Sequence, residues 1–310
     1  MADRQIVIIG LGDVATTHLE VLEELPGGSV IAGVDPGRPA VDSFRGRKLP
    51  VFSDIESVPL RFAPDLVVIA TPTPLHMQSC KDAAVRWPTA DILVEKPAAD
   101  NLDDARRLLS ADGPTPNLDV AYDLAYAPEV EWGVEAAAQL GTPLSATAWF
   151  SDPYENDPYA VARFGSSWLD SGINALSVLS RFAEPVSRVS LRSVGPADWS
   201  TFEAQVTCRA GGAEFRCLVV TSWHVTAAAK NTRIRFSSGA ELFLDHTAVA
   251  GHVVEQGAVS ALFGTDGTTP RRESHYQGLY RSWLADVGPV PRSAVSREDS
   301  RRLHEILLSD

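Results

Sequence analysis

Apolar residues run along this chain in two different rhythms. Over the first third, short unbroken runs rich in Val, Ile and Leu stand at 6–9, 30–34, 66–70 and 92–94, separated by stretches at 15–25 and 75–86 with helical spacing. A run with no polar alternation suits a strand covered on both faces, and strands that alternate with helices build a parallel sheet. A helix over 102–110, a strand over 118–121 and a helix over 127–140 extend this doubly wound pattern. Gly141-Thr142-Pro143 stops the last helix, because glycine accepts the left-handed C-terminal conformation and proline cannot continue the turn.

From residue 144 the runs lengthen and alternate with polar positions, at 144–150, 186–194, 202–210, 214–223, 233–236, 241–244 and 252–255. Gly211-Gly212 and Ser238-Gly239 supply tight turns between them, the mark of antiparallel pairing. One helix, over 173–182, interrupts the series, and helices near 274–285 and 297–308 follow it. The expectation is α/β plus α+β: a doubly wound parallel sheet over 1–122, then a domain over 123–310 on an open, mainly antiparallel sheet. The C-terminal helices are free to pack back on the first domain. An open sheet leaves one face for solvent or a partner subunit, so a homodimer or homotetramer is expected.

A chain of 310 residues exceeds what one core usually serves, which agrees with two domains. With 45% hydrophobic and 22% charged residues it reads as an ordinary globular protein. The formal net charge of -13, with no local Lys/Arg cluster, excludes a nucleic-acid backbone as partner. No apolar run reaches the length of a membrane span, and Met1-Ala2-Asp3-Arg4-Gln5 lacks the basic and apolar regions of a leader. Cys80, Cys208 and Cys217 match neither a disulfide framework nor zinc spacing, so reduced thiols, no metal and a cytoplasmic location are expected. Cys208 and Cys217 lie on two runs joined by a glycine turn and can face each other, with apolar packing as their role. His18, His224, His246 and His252 are scattered without ligand spacing and read as structural or surface residues.

The strand over 6–9 leads straight into Gly10-Leu11-Gly12-Asp13-Val14-Ala15, which fits G-x-G-x-x-G/A at a strand-to-helix turn. Gly10 permits the tight turn, Gly12 lets the backbone approach a pyrophosphate, and Ala15 keeps helix and strand close. N–H groups around Asp13 and Val14 then face the anion. Asp35 closes the second strand at about the spacing from which a carboxylate accepts from the ribose hydroxyls. Asp35 favours NAD, whereas Arg38 just beyond it suits the 2′-phosphate of NADP, so the cofactor is NAD or NADP.

Two further clusters, Ala70-Thr71-Pro72-Thr73-Pro74-Leu75-His76 and Val94-Glu95-Lys96-Pro97, resemble the "TPNxxH" and "EKP" motifs of the Gfo/Idh/MocA family of sugar and inositol oxidoreductases. The resemblance implies a Rossmann first domain with Thr71, Pro72 and His76 beside the cofactor, Glu95 near the nicotinamide, and Lys96 reaching toward the substrate hydroxyl. Trp168-Leu169-Asp170-Ser171-Gly172-Ile173-Asn174-Ala175-Leu176 occupies the place of the family's D-x-G-x-H-x-x-D, with Asn174 where the catalytic His would stand. Asn174 can donate and accept hydrogen bonds but cannot take a proton at working pH. Four residues apart on a helix start, Asp170 and Asn174 share one face and suit a two-point sugar contact. The alternative for Asp170 is a helix cap.

The Asp-x-Gly-Ile-Asn-Ala-Leu-Ser pattern and His275-Tyr276-Gln277-Gly278-Leu279-Tyr280 are similar to the bacterial aldose 1-dehydrogenases acting on L-arabinose or D-galactose. That subgroup's Lys-Glu-Asp and later His are largely replaced in the stretch over 149–157. The resemblance implies hydride transfer between C1 of an aldose and the nicotinamide, giving a lactone. Asp170 or Lys96 would accept the proton, with Asn174 orienting the sugar. Tyr122, Asp157, Arg163 and Trp168 are candidate pocket residues, since aromatic faces and planar donors suit sugars. Two other readings share the fold: oxidation of a sugar nucleotide or reduction of a keto-sugar or imine, and a non-catalytic NAD(P)-binding regulatory protein.

Overall fold

The computed structural model describes residues 3–37, 46–113, 117–155, 157, 159–284 and 295–309. The chain forms two compact units, one of Met1–Ala121 with Tyr276–Arg297 and one of Tyr122–His275 with Glu298–Asp310.

The first unit is a parallel sheet of β1 (Arg4–Ile9), β2 (Gly28–Val34), β3 (Val51–Phe52), β4 (Leu66–Ile69), β5 (Asp91–Glu95) and β6 (Leu118–Ala121), in the order β3-β2-β1-β4-β5-β6. Helices α1 (Asp13–Glu24), α2 (His76–Arg86) and α3 (Leu102–Leu109) make the crossovers. All four residues of β4 are buried, as its unbroken apolar run requires. α3 starts at Asn101, whose side chain accepts from the Asp104 N–H at 2.9 Å. The strand order reverses beside β1, and in open α/β sheets the crevice at such a switch point, outside the carboxyl ends, takes the ligand. β3 went unpredicted because two residues carry no periodicity.

The second unit holds α4 (Pro128–Ala137), β7 (Pro143–Ser151), α5 (Ala160–Phe164), α6 (Ile173–Ser180), β8 (Glu184–Ser193), β9 (Thr201–Ala210), β10 (Ala213–Ser222), β11 (Ala229–Phe236), β12 (Glu241–Asp245), β13 (Ala250–Glu255) and β14 (Ala258–Gly264). The strands form one sheet in the order β14-β13-β12-β11-β7-β10-β9-β8, antiparallel except where β7 and β10 pair in parallel. α7 (Arg271–Leu284) begins here and continues in the first unit, and α8 (Arg297–Leu308) completes the second.

Two-residue hairpins need positive φ at both turn positions: Gly211 and Gly212 stand at 55° and 81°, Gln256 and Gly257 at 52° and 80°. The second hairpin introduces β14, absent from the sequence pattern. One sheet face buries Ala148, Phe150, Val206, Val219, Ile234 and Leu242, while the other leaves Trp149, Leu218, Val259 and Leu262 exposed. Cys208 and Cys217 do face each other, with sulfurs 3.0 Å apart, both buried and neither in a disulfide. No described helix is long and apolar enough to cross a membrane.

Candidate active site

The turn after β1 is shaped by backbone crowding. Gly10 has φ +88°, and a Cβ there would lie 2.6 Å from the Thr71 nitrogen and 2.7 Å from the Ala70 carbonyl, so only glycine fits. At Gly12, which precedes α1, an added Cβ would meet nothing within 4 Å. No side chain caps α1 at Gly12. An uncapped helix start beside open space, reached through a glycine turn, fits a dinucleotide pyrophosphate. Asp13 is exposed and Val14 half-buried in that first turn.

Asp35 ties this turn to the end of β2. Its Oδ2 accepts from the Leu11 N–H and its Oδ1 from the Gly37 N–H, each at 2.8 Å. Arg38 lies outside the described residues.

Beyond β4, Pro72 is exposed and Thr71 half-buried. His76, the first residue of α2, is 1% exposed. Its Nε2 stands 2.9 Å from the Thr71 carbonyl and its Nδ1 3.0 Å from the Pro97 carbonyl. The ring lies between two backbone carbonyls, donating to one of them when neutral, so His76 braces the Thr71 loop against the segment after β5. Burial is the strongest influence on the ring and pulls its pKa below 6.5, against the two carbonyls.

Glu95 ends β5 in a buried network. Its Oε1 lies 3.0 Å from His18 Nε2 and accepts from the Tyr276 hydroxyl at 2.7 Å, while Oε2 accepts from the Lys96 N–H at 3.2 Å. His18 Nδ1 meets the Tyr280 hydroxyl at 2.7 Å. Burial alone would raise the Glu95 pKa. The His18 hydrogen bond and charge, the Tyr276 hydroxyl and the Lys96 charge together outweigh it and hold the carboxyl below its ordinary range. Lys96 follows, half-buried, before a cis peptide to Pro97. His18, read as a structural or surface histidine, therefore links α1 to β5, and sequence spacing gave no signal of that.

In the second unit, Trp168–Gly172 form a π-helical turn that runs without a break into α6, since Gly172 itself is helical at φ -63° and ψ -42°. Asp170 consequently lies inside a helix, not at its cap, and is half-buried. π-turns of this kind occur often at functional sites. Asn174 is 5% exposed, and its Oδ1 has no hydrogen-bond partner among the described residues.

The remaining pocket candidates separate. Trp168 is buried and its indole N–H donates to the Leu307 carbonyl at 2.9 Å. Tyr122 is wholly buried. Asp157 accepts from the Tyr159 N–H at 2.8 Å, a local turn before α5. Arg163 is exposed, with its guanidinium 4.8 Å from the Phe164 ring centre.

Sequence reasoning missed a set of buried polar groups in this unit. Lys230 Nζ stands 2.9 Å from Asp152 Oδ2, to which the Ser171 hydroxyl donates at 3.2 Å. Glu129 and His246, both wholly buried, pair at 2.8 Å, and His246 Nε2 meets the Thr232 hydroxyl at 3.0 Å. His275 Nε2 lies 3.6 Å from the same Glu129 oxygen. Burial drives the His275 pKa down to about 4, helped by His246, Arg271 and Lys230 against the pull of Glu129. Among the described residues no group of three or more His, Cys, Asp or Glu is arranged to hold a metal. Asp152 sits in the stretch where the resemblance fails, which was the one available signal.

A cavity of 690 Å³ in the first unit is lined by Asp3, Gly27, Gly28, Arg47 and Lys48. It lies at the amino ends of β1 and β2, the wrong edge of the sheet for the glycine turn.

A parallel sheet with this turn, this Asp35 and this rim defines an NAD(P)-binding oxidoreductase. Residues 4–112 match the model of the Gfo/Idh/MocA oxidoreductase family, described as NAD-binding Rossmann fold. Solved structures of like fold span nearly the whole chain. An oxidoreductase from Agrobacterium radiobacter in complex with NAD+, L-tartaric acid and magnesium is 15% identical, with 99% of this chain and 94% of that chain covered and a TM-score of 0.78. An oxidoreductase from Sinorhizobium meliloti is 14% identical, with 98% and 95% covered and a TM-score of 0.80. UDP-N-acetylglucosamine 3-dehydrogenase from Acidithiobacillus ferrooxidans is 17% identical, with 99% and 96% covered and a TM-score of 0.78. At such identity they establish the fold alone. No curated protein matches the chain by sequence.

Proposed function

We propose that this oxidoreductase oxidises an aldose at C1 to the lactone, using NAD or NADP. The observation that carries the reading is the continuous helical segment through Asp170 and Asn174, in which the buried Asn174 Oδ1 has no partner among the described residues. A buried amide oxygen left unbonded is costly, and a substrate hydroxyl would satisfy it. Gly10, Gly12, Asp35 and the rim residues Thr71 and Pro72 would hold the dinucleotide. Bound there, the nicotinamide supplies a hydride acceptor.

The protein's own residues then have separable tasks. Asn174 orients the sugar, and Asp170 or Lys96 takes the hydroxyl proton. Glu95 fixes the backbone at Lys96 through its N–H, and His76 braces the loop at Thr71. The exposed Trp149, Leu218, Val259 and Leu262 on one sheet face support a homodimer or homotetramer, checked by light scattering.

An aldose deuterated at C1 tests the reaction. Deuterium on the reduced nicotinamide, with lactone as product, supports it, and deuterium retained in an oxidised sugar refutes it. Lys96→Ala and Asp170→Ala are expected to lower turnover by about 10²–10⁴-fold with NAD(P)H binding nearly intact. A second reading, oxidation of a sugar nucleotide or reduction of a keto-sugar or imine, draws on the replaced residues over 149–157.

A further inference from the structure

We infer that His18 is a positioning residue for the reaction, holding the Glu95 carboxylate against the Lys96 backbone. It thereby joins the helix that would receive the pyrophosphate to the lysine that would meet the substrate hydroxyl. The inference rests on the reading of Lys96 as a group that meets that hydroxyl, and it adds a residue that no motif marks.

Three elements build the link. α1 begins at Asp13, beside the Gly10 turn, and its wholly buried His18 meets β5 through one ring nitrogen and α7 through the other. Nε2 stands 3.0 Å from Glu95 Oε1, and because an ionised carboxylate only accepts, Nε2 carries the proton of this bond. Nδ1 stands 2.7 Å from the Tyr280 hydroxyl. Burial and the Glu95 charge keep that phenol well above its ordinary pKa, so it stays a hydroxyl that can donate to a neutral ring or accept from a charged one. Tyr276 and Tyr280, four residues apart on α7, stand nearly perpendicular to the imidazole with ring centres 4.9 and 5.7 Å away. The ring is therefore fixed in place, with its Nε2–H directed at the carboxylate.

That carboxylate in turn holds the segment that carries Lys96. Glu95 Oε2 accepts from the Lys96 N–H at 3.2 Å, and the Tyr276 hydroxyl donates to Oε1 at 2.7 Å. One residue further, the His76 ring meets the Pro97 carbonyl at 3.0 Å, so backbone anchors flank Lys96 on both sides. A buried acid–imidazole pair seldom adds stability over apolar side chains of the same volume. What it supplies here is a fixed direction for a charged acceptor at the strand end that leads into Lys96. The groups that face the Glu95 carboxyl are His18 from α1, Tyr276 and Tyr280 from α7, His76 from α2 and Lys96 itself. The His18 bond and charge are the strongest of those that oppose burial, so without them the carboxyl takes up its proton at a higher pH.

The test compares His18→Leu and His18→Gln with the wild-type full chain. Turnover is measured with a neutral aldose, and the pH titration of the Lys96 amide proton is followed by NMR in the NAD(P)H-loaded protein. Gln keeps an N–H near the Nε2 position, and Leu keeps none. His18→Leu is expected to lower kcat about 10–100-fold with the sugar KM within about twofold. The acid limb of kcat and the amide titration should both move up by roughly one pH unit or more. His18→Gln should recover most of kcat and draw both titrations back. Unchanged kcat in a folded His18→Leu overturns the inference, and so does a loss that His18→Gln fails to restore. If the wild-type protein oxidises no aldose, the C1 reaction falls and the amide titration decides: moved in His18→Leu it supports the link from His18 to Lys96, unmoved it overturns it. Should His18→Leu fail to fold, Tyr280→Phe takes its place, with a smaller rise of the amide titration and a smaller loss of kcat expected, and no change in either overturning the inference.

Discussion

The carboxyl rim of the first unit and the helical turn of the second use buried polar groups in opposite ways. At the rim, both Glu95 oxygens have partners inside the protein, and the His76 ring is held between two backbone carbonyls. In the second unit, Asn174 Oδ1 and Glu129 Oε2 have none among the described residues. A satisfied network holds a fixed shape, which suits one invariant dinucleotide. An unsatisfied one leaves valences for a ligand and makes the region sensitive to small changes of charge.

That contrast can be broken most forcefully at His246. His246→Ala leaves the Glu129 carboxylate buried without its main partner and is expected to cost roughly 3–5 kcal/mol, read from denaturant unfolding. Next in size is an acid effect at His275. The unfolded chain takes up this proton near pH 6.5 and the folded chain only near 4, so stability falls as pH drops through that window. The loss approaches roughly 3 kcal/mol, and His275→Gln should flatten it.

At the rim, Tyr276→Phe removes a donor from an ionised carboxyl and is expected to cost about 1–3 kcal/mol. Glu95 stabilises the fold above its ordinary pKa, and that contribution is lost as pH falls through the lowered folded value. Without the phenol the folded pKa rises, so the acid loss should be smaller in the variant and complete at a higher pH. The smallest effect belongs to the β13–β14 hairpin. Gln256 holds φ 52°, where side chains are disfavoured, and Gln256→Gly should gain up to about 1 kcal/mol in thermal unfolding.

How much of this was legible in the chain depended on how local each feature is. The parallel sheet and the Gly10 turn could be read because unbroken apolar runs and glycine spacing are short-range patterns. β3 and β14 could not, one too short and the other an exposed edge with little periodicity. The Asp170 and Asn174 spacing was visible, but the π-turn that removes Asp170 from a capping position has no sequence mark. The burial of Trp168 and Tyr122 is a tertiary property that their sequence context does not mark. Lys230 finds Asp152, and His18 finds Glu95, only through strand register and helix packing.

The most direct measurement of the central claim is single-turnover absorbance of the nicotinamide with a panel of neutral aldoses. Reduction of NAD+ or NADP+ by at least one neutral aldose, with lactone recovered, is the expected result. A folded protein that binds NAD(P)H yet oxidises no aldose would contradict it.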